Sequence, residues 1–151
     1  MTSTPPEPPV PSEDGTAPDT ATGAAQSAPP LLVVDAANVV GSVPDGWWKD
    51  RHGAAERLRD RLPGYAADGV AGLPGPLDVV LVVEGAARGV ESVPGVRVVS
   101  ASGSGDDRIV EVVAERLPAG RECVVVTADR ELRRRVEAHG ARCVGPRTVR
   151  S

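Results

Sequence analysis

The sequence predicts an α/β fold, a three-layer sandwich built on a parallel sheet of about five strands. Three observations predict it. Short apolar runs rich in Val and Leu recur at residues 31–35, 77–83, 96–99 and 122–126, as expected of strands buried on both faces. Stretches with apolar residues at helical spacing separate them, and such alternation implies right-handed crossovers and a parallel sheet. Phe is absent and the only aromatic residues are Trp47, Trp48 and Tyr65, so Val, Leu, Ala and Ile must build the core. That composition suits a parallel sheet covered by helices.

The elements follow in order. Residues 31–35 form the first strand, and residues 36–46 read as a loop punctuated by Gly41, Pro44 and Gly46. A helix is expected within 50–62, where Ala54, Leu58 and Leu62 recur every four residues, and Pro63-Gly64 would stop it. Residues 69–76 read as a loose connection to the second strand at 77–83. A short helical turn is the most that 85–95 offers before the third strand at 96–99. The small residues of 100–105 make a flexible loop. A helix over 106–117 would carry Ile109, Val110, Val113 and Leu117 on one face. Residues 118–120 turn the chain into the fourth strand at 122–126. Leu132 and Val136 mark a helix over 129–139, with Gly140 at its C-terminal cap. Residues 142–144 would be a short fifth strand.

Residues 1–30 stand outside this domain. They are rich in Pro, Ala, Thr, Ser and Gly, with no Lys or Arg and almost nothing large and apolar. Such a segment buries too little surface to offset the entropy of ordering, so it is expected to be a disordered tail. It lacks the basic start and apolar core of a signal peptide. No later stretch approaches a membrane-spanning length.

The whole chain carries a net charge of −4, from 21 acidic and 17 basic residues. Glu7, Glu13, Asp14 and Asp19 belong to the tail, so residues 31–151 hold 17 of each sign. Seven arginines lie from Arg130 onward, against only Glu131 and Glu137. That local surplus says more about a polyanionic partner than the acidic overall balance does. Cys123 and Cys143 lack close Cys or His companions and make no zinc pattern. Two buried thiols in a reducing cytoplasm are expected instead.

The chemistry gathers at strand ends. Asp35 closes the first run and Glu84 the second, Asp106 and Asp107 follow the third, and Thr127-Ala128-Asp129 follows the fourth. In an open parallel sheet, sites form just beyond the carboxyl ends of the strands. Carboxylates delivered there from several strands would meet in space, at a cost that a divalent cation relieves. Each group also has a purely structural reading. Asp35 could cap a turn, Asp106 and Asp107 could cap a helix, and Asp129 could serve as an N-cap. These readings explain each group singly and explain less well why every central strand end carries one.

Taken together, Asp35 with Asn38, Asp106 in Ser104-Gly105-Asp106-Asp107-Arg108-Ile109, and Thr127-Ala128-Asp129 resemble the PIN-like nucleases, within them the NYN and YacP-like branch. The resemblance covers about residues 31–145 and makes residues 31–148 a PIN-like domain. It implies the strand order 3-2-1-4-5 and a Mg²⁺- or Mn²⁺-dependent ribonuclease hydrolysing RNA phosphodiester bonds. Asp35, Asp106 and Asp129 would then be catalytic and metal-holding, with Asp107 a further metal candidate. Asn38 and Thr127 would contact the substrate phosphate or support the acids from behind, and Arg130 would meet substrate phosphate or pair with Asp129 or Glu131. Glu84 stays open, since this branch varies after the second strand.

The loop from Gly41 to Arg51, with Trp47 and Trp48, lies outside the general PIN pattern. Its tryptophans either stack unpaired bases or fasten a glycine-rich loop over the core, and burial is expected for one of them. Arg133, Arg134 and Arg135 point in three directions and read mainly as a solvated face. His139 sits at a helix end, where a dipole interaction suits it better than catalysis.

Three other readings compete. A nucleoside triphosphate pyrophosphohydrolase would use the same kind of acidic metal site, but no helix bears its paired E-x-x-E and E-x-x-D acids. A non-catalytic PIN-like RNA-binding module would keep the fold with a degenerate site. A receiver-like phosphoacceptor domain would need an acidic pair after the first strand and a late Lys, and both are missing. A dinucleotide site is disfavoured because the first strand leads into Asp35-Ala36-Ala37-Asn38 rather than a glycine fingerprint.

Overall fold

The structure, a computed structural model, describes residues 29–44, 46–116 and 121–149. The expected tail, apart from Pro29 and Pro30, lies outside the described residues, as do Leu117, the turn at 118–120 and Arg150.

Strand β1 (Leu31–Asp35) runs through the middle of the sheet. It pairs in parallel with β4 (Asp78–Val83) on one side and β6 (Cys123–Val126) on the other. Strands β5 (Val96–Ser100) and β7 (Arg142–Val144) form the edges, also parallel. Two short strands, β2 (Gly69–Val70) and β3 (Leu73–Pro74), make a separate hairpin. The main sheet therefore runs β5-β4-β1-β6-β7, which is the expected 3-2-1-4-5 order once the hairpin is set aside.

Alternation along the strands makes the three layers, because successive side chains point to opposite faces. Leu32, Val34, Val79, Leu81, Val83, Val124 and Val126 face helices α1 (Ala36–Gly41) and α2 (Arg51–Asp68), meeting Val39, Leu58 and Leu62. Leu31, Val33, Val80, Val82 and Val125 face helices α3 (Gly105–Arg116) and α4 (Arg130–Glu137), meeting Ile109, Val113, Leu132 and Val136. Both clusters are fully shielded at their centres, and each such aliphatic side chain stabilises the fold by roughly 1.5–3 kcal/mol. A polar clamp closes the amino edge of the sheet. There the Arg121 guanidinium donates to Asp78 at 3.0 Å and to the carbonyls of Pro29 and Arg116 at 2.9 Å each. The opposite, carboxyl edge is left for the acids. No helix among the described residues is long and apolar enough to cross a membrane.

The structure differs from the sequence reading at four places. Residues 36–41, read as loop, are helix α1, whose N-cap Asp35 accepts the Asn38 N–H. Six residues are too few to show a period, so only the cap could have announced it. Helix α2 runs through Pro63 to Asp68 instead of stopping at Pro63-Gly64. Its buried row continues from Leu58 and Leu62 to Ala66, and that packing outweighs the missing Pro63 N–H. Residues 69–76 form the β2–β3 hairpin, whose turn residues Ala71 and Gly72 both have positive φ, as tight hairpin turns demand. The thiols also differ from each other. Cys123 is buried, which pushes it up to about 12, whereas Cys143 is only partly covered.

Candidate active site

Strand register aligns the acids before any side chain is considered. Asp35 pairs with Val82, two residues short of Glu84, and Val34 pairs with Val126, one short of Thr127. The ends of β1, β4 and β6 are thus level within a few residues, and α3 and α4 begin beside them. Asp35, Glu84, Asp106 and Asp129, with Ala37, Asn38 and Ser104, line one basin of about 330 Å³ at this carboxyl edge. Each of the four acids comes from a different strand-to-helix turn. No Lys or Arg lines the basin.

Asp35 is the most deeply set, 6 % exposed. One carboxylate oxygen accepts the Asn38 N–H at 3.3 Å and the other accepts the Thr127 hydroxyl at 2.9 Å. Burial pushes its pKa up to about 6, against the pull of those two hydrogen bonds, and the charges of Asp106 and Glu84 push the same way. Asp106, in the first turn of α3, is also raised, first by burial and then by the charges of Asp129 and Glu84. Burial raises both carboxyls first, and the neighbouring acids add to it, as expected of a basin whose wall lacks positive charge.

Thr127 is fully buried and stands behind the basin rather than in it. Its hydroxyl donates to Asp35 and accepts the Asp129 N–H at 3.1 Å, so one oxygen positions two of the acids. The Asn38 side chain lines the basin and also accepts the Ala128 N–H at 2.8 Å, tying α1 to the β6–α4 turn. Both residues were expected either to support the acids from behind or to contact phosphate. Thr127 orients Asp35 and Asp129, and Asn38 has a framework bond as well as a face on the basin.

Asp129 caps α4 through one oxygen, which accepts the Leu132 N–H at 2.9 Å, while the residue still lines the basin. Glu84, left open by the sequence, belongs to the same wall. Its carboxylate accepts the Gly105 N–H at 2.6 Å, at the start of α3. A Cβ at position 105 would run into that carboxylate, so Gly105 is there to let Glu84 reach the helix end. The signal was present in the sequence as Ser104-Gly105 before an acidic pair, but its partner was 21 residues away.

Two expected site residues stand elsewhere. Asp107 does not line the basin and pairs with Arg135 at 2.9 Å, bridging α3 to α4. Arg130 is exposed and is not part of the basin wall. Other arginines of this segment act locally. Arg133 donates to the Thr127 carbonyl at 3.0 Å, Arg134 pairs with Glu131, and Arg142 donates to the Ala71 carbonyl at 2.8 Å.

Among the described residues no three of these side chains are grouped tightly enough to hold an ion directly. The acids therefore share a basin, not a finished coordination sphere. Their chemistry nonetheless suits a hard cation, since the donors are all oxygen and their mutual repulsion has no basic neighbour in the wall. Mg²⁺ in particular keeps several waters and needs only one or two carboxylates.

The strand order and the acidic carboxyl edge define the class first: a three-layer α/β fold around a five-stranded parallel sheet. The likeness then becomes particular. The chain matches the crystal structure of Rae1 (YacP) from Bacillus subtilis with a TM-score of 0.62 and 19 % identity, over 79 % of this chain and 70 % of that one. A tryptophan-to-leucine variant of the same protein matches with a TM-score of 0.65 and 18 % identity, over 80 % and 72 %. No family model matches the chain, and no curated protein does. At this identity the likeness establishes a shared YacP-like fold.

Proposed function

We propose that residues 31–148 form a Mg²⁺- or Mn²⁺-dependent ribonuclease domain acting in the cytoplasm. The observation that carries this reading is the meeting of Asp35, Glu84, Asp106 and Asp129 in one basin with no basic side chain in its wall. The YacP-like fold supports it, since the motifs that resemble the nuclease branch are those that build the basin.

Asp35, Asp106 and Asp129, with Glu84 beside them, would hold the cation. When bound, the cation would acidify water and offset the charge that builds on the attacked phosphate. Without a cation, burial raises the Asp35 pKa to about 6, and binding one would displace that proton. Thr127 holds that carboxyl in one orientation, and Asn38 holds the turn that presents Asp129. No histidine is needed.

One observation favours a second reading, a non-catalytic RNA-binding module. Asp129 and Glu84 each spend an oxygen on a helix end, and no trio of acids encloses an ion among the described residues. Cleavage of structured and single-stranded RNA, followed during Mn²⁺ titration, decides between them. Wild type should cut and Asp129→Ala should lose at least about 100-fold, as for loss of a principal charged group at the reacting centre. RNA binding without any cleavage would establish the second reading, and release of pyrophosphate from nucleoside triphosphates with RNA left intact would point to the other hydrolase class.

A further inference from the structure

A second concavity adjoins the acidic basin, and the nuclease chemistry does not use it. It has a volume of about 210 Å³ and is lined mainly by apolar surface, including Val40, Trp47, Arg51 and Ala87. It shares Ala37 and Glu84 with the basin, so the two hollows meet along a common wall. Trp47 and Arg51, which line it, belong to the segment without a counterpart in the general nuclease pattern.

We infer that this cleft receives one unpaired base of an RNA strand whose neighbouring phosphate lies in the acidic basin. The inference rests on the ribonuclease reading and deepens it. Size is the first argument. A cavity of roughly 150 Å³ accommodates benzene, so 210 Å³ gives room for a larger planar ring. It falls below the roughly 300–1,000 Å³ of sites that enclose whole drug-sized ligands. A base fits, and its sugar and phosphate stay outside.

Surface chemistry is the second argument. The Arg51 guanidinium lies over the Trp47 ring at 5.3 Å from its centroid, so a planar cation and an aromatic ring already stand together in the wall. Bases stack on both kinds of surface. Trp48 stands edge-on to Trp47, with centroids 6.2 Å apart, and is itself 57 % exposed. It is the only large hydrophobic side chain exposed to that degree among the described residues.

Charge is the third argument. Arg51, the first residue of α2, is exposed and lines the cleft, whereas the charged side chains of the basin next to it are all acids. A polyanion reaching the basin is repelled there unless a cation is present, and the Arg51 guanidinium in the cleft wall offers the strand a positive contact from the side. Trp47 is half-buried, with Trp48 edge-on to its ring and Arg51 over it.

The test uses the full chain and a short, end-labelled single-stranded RNA with Ca²⁺, a hard cation that takes oxygen ligands, read by fluorescence anisotropy. A parallel set of RNAs carries a single abasic residue at successive positions. Wild type should bind, and Trp47→Ala should bind about ten-fold more weakly, the loss of one base–aromatic stack. An abasic residue at one position should weaken wild-type binding to the same extent and leave Trp47→Ala unaffected. Ala87→Leu, which fills the cleft while leaving the tryptophan in the sequence, should reproduce the loss, with thermal unfolding confirming that both variants are folded. Equal binding by wild type and both variants, indifference to every abasic position, or no binding at all would overturn the inference. Cleavage with Mn²⁺ is scored separately. Base-dependent binding without cleavage would remove the nuclease reading and keep the cleft, while cleavage indifferent to Trp47 would do the reverse.

Discussion

Asp35 shows how one residue serves the site at the expense of the fold. Its carboxyl titrates near 6 in the folded chain, against about 3.9 in an unfolded one. The folded state therefore binds this proton more tightly, and the stability it contributes is fully present below about pH 4 and lost as pH rises through 6. A shift of this size corresponds to roughly 2–3 kcal/mol. Urea unfolding of wild type without divalent cation should accordingly weaken between pH 4 and 6 by about that amount. Asp35→Asn should flatten that part of the profile and be at least as stable as wild type at pH 7. A profile for Asp35→Asn parallel to wild type would show that the carboxyl is not the group responsible. Asp106 acts in the same direction, its pKa also raised by burial and by neighbouring acids. Thr127 carries no charge, yet its hydroxyl decides where both Asp35 and the Asp129 backbone stand.

At the scale of elements, α2 is the instructive case. Its start is local: Asp50 accepts the Gly53 N–H at 2.9 Å and caps the first turn. Its end is not local, because the helix passes Pro63 to bury Ala66 and to deliver Gly69 to the hairpin. A proline in a helix interior costs about 3 kcal/mol, so Pro63→Ala should raise stability by roughly 1–3 kcal/mol, measured by urea unfolding. A destabilised Pro63→Ala would mean that the ring itself is a packing element. Helix α1 makes the opposite point. It is short and has little periodicity, but Asp35 and Asn38 begin it, so the pair first read as site chemistry is also a helix start. The structural and functional readings of Asp35 are both realised by the same carboxylate.

At the scale of the whole molecule, the two apolar layers hold a sheet whose carboxyl edge concentrates negative charge. A cation that binds this edge in the folded chain alone must stabilise it by mass action, by about 2.7 kcal/mol at one hundred times its dissociation constant. Mn²⁺ or Mg²⁺ at neutral pH should therefore raise the melting temperature of wild type by several degrees. Asp35→Asn and Asp129→Ala should respond less, and the wild-type effect should fade below pH 6 as protons compete for Asp35. Scanning calorimetry with and without the cation checks this, and an identical response from all three proteins would place the ion elsewhere.

Periodicity and punctuation carried most of the architecture. Buried β-branched runs announce parallel strands because only a strand covered on both faces can be apolar throughout, and the acids after those runs mark the carboxyl edge. Local patterns could not show which oxygen each acid leaves free, that Glu84 reaches Gly105, that Asp107 turns to Arg135, or that Trp47 walls a cleft beside the basin. Those outcomes depend on partners brought together by strand register and helix packing across long stretches of chain. Residue types were enough to place negative charge at one edge. Only the assembled layers decided how that charge is buried, shared and approached.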